Sequence, residues 1–456
     1  MALQALLSKF EVHPSTFQGI IEDIHRQMED GLAGRPSSLK MIPSYADAAT
    51  GREEGKFLAL DFGGTNFRIV MVHLHDGKIV DKIISSNNRL NEKTPLGADL
   101  FRQVAAHIVK FLDDHHLKPA AGEPALPLGF TFSFPVNQTS ISSGTLIYWT
   151  KEFIASGVEG NDVVALLRTA LHEVGLDQSI NVVALVNDTV GTMAAHSFEH
   201  PETAMGVIMG TGTNACYRES ISQIPKLHNP PAGKSHTIIN MEWGNYDHMP
   251  ATEMDELLFT HTGQPALMRF EKMTSGRYMG LLMREVITKC IADGVLFPAL
   301  PQGAGWVFDP ESRFDAMWMD RILTDRAPYP VTRGYLLQCA GRPADDNVFL
   351  DANHLEFLLY LSRAILSRSA RFAGLMVAAV VARLYRQAPT RAMVVAVDGS
   401  VFHKSPGYDT LMQETVTQAL VLAGVTPEAC HVAVQHAADG SGVGAAVIAA
   451  TAVAHQ

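Results

Sequence analysis

Apolar residues along this chain come in two styles: short continuous runs that stop at Gly-rich or acidic turns, and longer stretches with helical spacing. Residues 17 to 32 have helical periodicity with acid–base pairs, which predicts a surface helix ahead of the first compact unit. A polar, Gly-containing stretch, 46 to 55, leads into that unit. Apolar residues then run into Asp61, glycines follow, and a second apolar run from Phe67 to Leu74 resumes, giving strand, turn and strand. The pattern next predicts strand or loop to about Asn91, a helix over about 97 to 114 and a Pro/Ala/Gly-rich connection over 118 to 127. A strand over 128 to 135 and a helix over 162 to 174 come after it. The run 180 to 186 is apolar throughout, as in a strand buried on both faces.

The second half repeats the style, with strands ending at Gly210, Glu242 and Asp398 and helices over roughly 278 to 293, 354 to 387 and 443 to 453. Residues 298 to 330 are Pro-rich without a clean period and are expected to contain loops. The most apolar helical run, 374 to 382, lies between Arg371 and Arg383, reads as a core helix and is too short to span a bilayer. The expectation is two α/β halves, each presenting a glycine hairpin to a shared cleft.

The turns carry the candidate chemistry. In Asp61-Phe-Gly63-Gly64-Thr65-Asn66-Phe-Arg68, glycines let backbone N–H groups approach phosphate oxygens, and Thr65 and Asn66 add donors. Asp61 is placed to hold a metal-bound water. The P-loop and the dinucleotide fingerprint both lead into a helix, so neither fits; an ordinary Gly-Gly hairpin does. Gly210-Thr211-Gly212-Thr213-Asn214 is a second such turn, so two similar halves could grip one nucleotide from two sides. Asp439-Gly440-Ser441-Gly442 is a third, opening a helix whose N–H groups suit an anion.

Asn187 and Asp188 follow a buried strand and precede a helix, where α/β proteins place ligands; a helix cap and a catalytic base are both open readings. Glu242 and Glu271 suit sugar hydroxyls, or are solvated surface acids. The 456 residues carry a net charge of −11 without basic runs, which argues against nucleic-acid binding. Cys216, Cys290, Cys339 and Cys430 are widely spaced and read as buried reduced thiols of a cytoplasmic protein. The N-terminus has no long apolar core of a signal peptide, and no membrane partner is expected.

Taken together, the motifs resemble the eukaryotic-type hexokinase family, glucokinases included. The resemblance runs from Lys40 almost to the C-terminus. It rests on Leu60 to Arg68, Gly129 to Pro135, Trp149-Thr150-Lys151, Val186 to Thr189, Gly210 to Asn214, Asn240 to Gly244, Glu271 to Met273, Asp398 to Ser400 and Asp439 to Gly442. It implies an α/β actin-like ATPase (ribonuclease H-like) fold whose two domains close on a sugar. Residues 1–54 would be a helical segment on the large domain, 55–188 the small domain joined by the C-terminal helix 443–456, and 189–442 the large domain.

By position, Asp188 would be the base for the sugar 6-hydroxyl, and Lys151 would stabilise the transferring phosphoryl group. Ser133, Thr150, Lys151, Asn187, Asp188, Asn214, Glu242 and Glu271 would bind the hexose. Gly63, Gly64, Thr65, Asn66 and Arg68 would form one phosphate loop of the ATP site and Gly210, Thr211, Gly212 and Thr213 the other, with Ser400 and Ser441 near the nucleoside. Asp61 and Asp188 would hold Mg²⁺ through water. The implied activity is hexose phosphorylation from MgATP, the first step of glycolysis; a non-catalytic sugar sensor is the alternative. Glu152 stands where the family usually has glycine beside the lysine, and Gln264, seven positions before Glu271, is assigned no sugar contact.

Overall fold

The computed structural model describes residues 2–63, 66–85, 88–120, 122–149, 153–231, 233–298, 316–343, 345, 350–437 and 440–454. Two sheets organise them. In the first, Lys78–Ile84, Asn66–His75, Gly55–Phe62, Leu126–Phe132 and Ile180–Val186 lie side by side in that order. Its first two pairings are antiparallel and its last two parallel. The second sheet repeats that order and polarity with His236–Asn240, Thr213–Ser220, Thr203–Met209, Ala392–Asp398 and His431–His436. Ile42–Pro43 extends it beyond His236–Asn240. The same hairpin is closed by a Gly-rich turn in both halves, with Asp61 opposite Arg68 and Met209 opposite Thr213. This is the duplicated α/β architecture of the actin-like ATPases.

Helices Phe17–Leu32 and Gly97–Asp114 form where their apolar spacing requires. Helix Val163–Glu173 starts at Asp162, whose carboxylate accepts the N–H groups of Val164 and Ala165 at 2.8 and 3.1 Å and so satisfies two otherwise orphaned donors. Within the stretch expected to be loops, Ala316–Thr324 is helical. Its support is tertiary: Trp318 stacks on Tyr335 with ring centroids 3.7 Å apart, and Met319 and Ile322 are buried.

The apolar run 374 to 382 belongs to a helix of 36 residues, Ala352–Gln387. By length and composition this helix could cross a membrane, so the shortness of the run does not settle the matter. Burial accounts for its character, since 83% of its apolar window lies inside the protein. Helix Phe17–Leu32 packs against it, and both enter the core of the second sheet.

Helices Asp188–Glu199 and Gly440–Val453 share a separate core with residues from both sheets. They cross backbone to backbone. A Cβ on Gly444 would lie 1.8 Å from the Gly191 carbonyl oxygen, and one on Gly129 would lie 1.9 Å from that of Ala445. Only glycine permits this approach, which carries Ser441 to the first sheet.

Candidate active site

Each parallel strand of the first sheet delivers a polar residue at its C-terminal end. Gly55–Phe62 carries Asp61 and leads to Gly63; Leu126–Phe132 leads to Ser133; Ile180–Val186 leads to Asn187 and Asp188. Such ends converge on one crevice in an α/β sheet. The Ser133 N–H donates to Phe62 O at 3.1 Å, and a Cβ on Gly63 would sit 3.4 Å from Ser133 Oγ, so the first two strand ends are in contact. Phe62, Phe132, Phe134, Trp149 and Phe153 pack edge-on and stacked beneath them.

Asn187 and Asp188 both serve the start of the helix that follows them. Asn187 caps helix Asp188–Glu199, its Oδ1 accepting the Thr189 N–H at 3.0 Å and the Thr189 hydroxyl at 2.7 Å. Asp188 is the first helical residue and accepts the same N–H at 2.9 Å. Its carboxylate stands at the positive end of the helix dipole, which favours negative charge.

Facing it is an amide and carboxylate cluster from the second sheet. Register places the start of Thr213–Ser220 beside the end of His236–Asn240. The Asn214 amide is oriented from behind, because its Oδ1 accepts the N–H groups of Ala215 and Trp243 at 2.8 and 3.3 Å. Its Nδ2 then donates to Asn240 Oδ1 at 2.8 Å and Glu242 Oε1 at 3.3 Å, with Asn187 Oδ1 3.5 Å away. Asn240 Nδ2 donates to the same Glu242 oxygen at 2.8 Å. Glu242 has φ 52° and ψ 46°, a left-handed conformation costing a non-glycine residue about 1–3 kcal/mol. That strain turns its carboxylate into the cluster. Glu271, on helix Arg269–Thr274, accepts the Thr213 N–H at 3.0 Å, and a Cβ on Gly212 would lie 2.8 Å from that oxygen.

A second cluster gathers Asp61, Arg68 and Ser441. Arg68 Nη2 donates to Asp61 Oδ2 at 2.7 Å and lies 3.2 Å from Ser441 Oγ, while the Ser441 hydroxyl donates to Asp61 Oδ2 at 2.9 Å. The backbone of Ser441 also meets the first turns of helix Asp188–Glu199: a Cβ on Gly191 would lie 2.9 Å from Ser441 O. Asp61 thus binds the Ser441 side chain, while the Ser441 backbone packs on the helix that Asp188 begins. Among the described residues no group of three His, Cys, Asp or Glu side chains could hold a metal ion. A pair of carboxylates acting through water fits Mg²⁺, which keeps several waters and takes one or two carboxylates plus substrate phosphates.

On the second turn, the Gly210 N–H closes on Gly212 O at 3.0 Å, and Gly210 O accepts the Gly276 N–H at 2.8 Å. Thr213 turns inward: its hydroxyl accepts Trp243 Nε1–H at 2.8 Å and its N–H donates to Glu271, so both groups are engaged by the protein's own side chains. Ser400 is exposed at the head of helix Ser400–Lys404, with its N 3.7 Å from where a Cβ on Gly210 would be. Gly64, Thr65, Thr150, Lys151 and Glu152 lie outside the described residues, as does the Asn66 side chain.

Three side chains gain roles that sequence reasoning did not assign. Asn240 bridges Asn214 and Glu242. Tyr148 ionises less readily than a free phenol, through burial and then the charges of Glu242 and Glu271. The Asp398 carboxyl is raised by burial, partly offset by the N–H of Gly399 and by His436 and Arg68. Conversely, Lys272 of the Glu271-Lys272-Met273 motif is structural: its ammonium donates to the carbonyls of Gly263 and Gln264 at 2.9 and 3.1 Å, leaving Gln264 itself exposed. Cys216, Cys290 and Cys430 are buried free thiols, and burial pushes Cys216 up to about 12; the Cys339 side chain is not among those described.

Comparison with known proteins agrees with this geometry. Two family models, each described as Hexokinase, match residues 2–198 and 204–451. Rice Hexokinase-7 is 35% identical over 461 residues, covering 98% of this chain and 96% of the relative. Human Hexokinase-3 is 34% identical over 458 residues, covering 99% of this chain, which spans about half (47%) of that protein. A solved hexokinase from Schistosoma mansoni in complex with glucose superposes with a TM-score of 0.83 at 30% identity, covering 99% of this chain and 98% of that one.

Proposed function

The chain belongs to the hexokinase family, and on that premise we propose that it transfers the γ-phosphoryl group of MgATP to the 6-hydroxyl of glucose or a related hexose. The observation that carries the reading is the cluster of Asn187, Asn214, Asn240, Glu242 and Glu271 facing Asp188. Carboxylates and amides held by their own neighbours present fixed acceptors and donors to adjacent hydroxyls, at little ordering cost on binding. Asp188, beside Asn187 at the first position of the helix, takes the proton of the attacking hydroxyl. The two glycine turns and Ser441 hold the nucleotide, and Lys151 would face the phosphoryl group in transit.

Asp61 and Asp188 would hold Mg²⁺ through water, and the ion would neutralise charge on the ATP phosphates. Closure of the two halves about the Gly191–Gly444 crossing would exclude water, which competes with the sugar for the phosphoryl group. The reaction would open glycolysis. We place it in the cytoplasm, where the three buried reduced thiols suit the redox state.

The sugar site is tested by calorimetric glucose titration. Glu242→Ala removes an acceptor of charge-assisted bonds and takes from the Asn240 amide the carboxylate it donates to, so affinity is expected to fall by about 10- to 100-fold. Unchanged affinity would place the sugar elsewhere.

A further inference from the structure

A cavity of about 470 Å³ opens between helix Phe17–Leu32 and the end of helix Ala352–Gln387, and it shares no lining residue with the cleft described above. Its size is that of a small-molecule site, for which about 300–1,000 Å³ is usual. Arg386 lies on its wall, exposed, and makes no salt bridge among the described residues. Its Nη2 lies instead 2.9 Å from His25 Nδ1 and 3.0 Å from His25 Nε2, while His25 Nε2 lies 2.7 Å from Ala379 O. With Nε2–H donated to that carbonyl, the guanidinium beside the ring favours the neutral tautomer. Burial lowers the His25 pKa, and the charges of Arg386 and Arg383 lower it further, in keeping with that tautomer.

Arg26 brings a second guanidinium to the lining, paired with Asp23. Arg383 brings a third, already fixed: its Nε donates at 3.1 Å to the fully buried Glu219, which also accepts the Tyr217 hydroxyl at 2.9 Å. Asp23 thus answers Arg26, and Glu219 and Glu29 (3.8 Å) answer Arg383, which leaves Arg386 as the lining guanidinium with no carboxylate partner among the described residues. Gln223 and Gln387 complete the polar lining.

We propose that this cavity is a second ligand site, for a phosphomonoester that also carries free hydroxyls. The phosphate would take Arg386, the guanidinium without a carboxylate partner, through charge-assisted bonds. Glu22 and Glu29 repel a bare polyanion but accept from hydroxyls, and the two glutamine amides serve the same groups. A neutral sugar leaves Arg386 unused; inorganic phosphate leaves the carboxylates unused. The ligand needs both halves.

The test is calorimetric titration of the full chain with ribose 5-phosphate, beside inorganic phosphate and ribose, with glucose saturating so that the sugar cleft is filled. Ribose 5-phosphate is expected to bind more tightly than either control, and Arg386→Glu to weaken it by about tenfold or more. Arg386 is exposed, so the variant should keep the parent's unfolding temperature and its glucose affinity without the probe. Absence of saturable ribose 5-phosphate binding to the parent, or equal affinity in the variant, would overturn the proposal. Heat is the readout, so the result is independent of whether the chain transfers phosphate.

Discussion

Asp188→Asn lowers turnover by about 100- to 10,000-fold, the usual worth of a positioned general base, while glucose still binds. The expectation is sharp because Asn187 supplies the helix cap through its own side chain. Asn187 holds the helix start through the Thr189 N–H and hydroxyl, so amidation of Asp188 removes proton-accepting power without unravelling Asp188–Glu199. Asparagine at 188 keeps an oxygen for the Thr189 N–H that Asp188 now satisfies at 2.9 Å. Steady-state turnover with MgATP and glucose, beside a calorimetric glucose titration, separates the two effects. Near-normal turnover would exclude Asp188 as the base; lost glucose binding would make its role positional.

Arg368→Met is expected to destabilise the fold by about 3–5 kcal/mol, because it strips the partner from a buried carboxylate. Asp255 is fully buried and accepts Arg368 in a fork, Nη1 and Nη2 each at 2.7 Å, while also accepting the N–H and hydroxyl of Thr252 at 2.7 Å. The pair joins the capping box of helix Glu253–His261 to the middle of Ala352–Gln387, with the guanidinium 4.8 Å from the Phe10 ring centroid. Burial alone would raise the Asp255 pKa, but the charge and hydrogen bonds of Arg368 and those of Thr252 outweigh it and hold the carboxyl below its ordinary range.

A depressed folded-state pKa contributes stability that is complete above the unfolded value, about 4, and is lost as pH falls through the folded one. The parent should therefore lose this part of its stability on acidification. The double variant Asp255→Asn/Arg368→Met, with no charge left to strand, should recover much of the loss at neutral pH. Urea unfolding of the three proteins at neutral and acid pH decides it; equal midpoints for parent and Arg368→Met would show that the pair contributes nothing.

Local pattern made the scaffold legible, and register hid part of the site. Helix Gly97–Asp114 and strand Ile180–Val186 follow from the apolar pattern, whereas Asp162, read as the first residue of its helix, is the cap before it. Helix Ala316–Thr324 does not, because its stability comes from Trp318 lying on Tyr335. Asp188, Glu242 and Glu271 stand at strand and helix ends with recognisable neighbours. Asn240 acquires its role only because it pairs across to Cys216, one strand over, which brings it beside Asn214. Tyr148 likewise comes under the charges of Glu242 and Glu271 only after the chain has folded. Thr213 looked like a phosphate ligand by position, yet a buried indole claims its hydroxyl.

The central claim is that the two clusters, around Glu242 and around Asp61, serve one reaction. Coupled measurement of ADP release from MgATP by the full chain, with glucose, mannose, fructose or no sugar, tests it most directly. The account predicts ADP release that depends on hexose and is matched mole for mole by sugar 6-phosphate. Saturable glucose binding with no hexose-dependent ADP release would contradict it and leave a sugar sensor on a kinase fold.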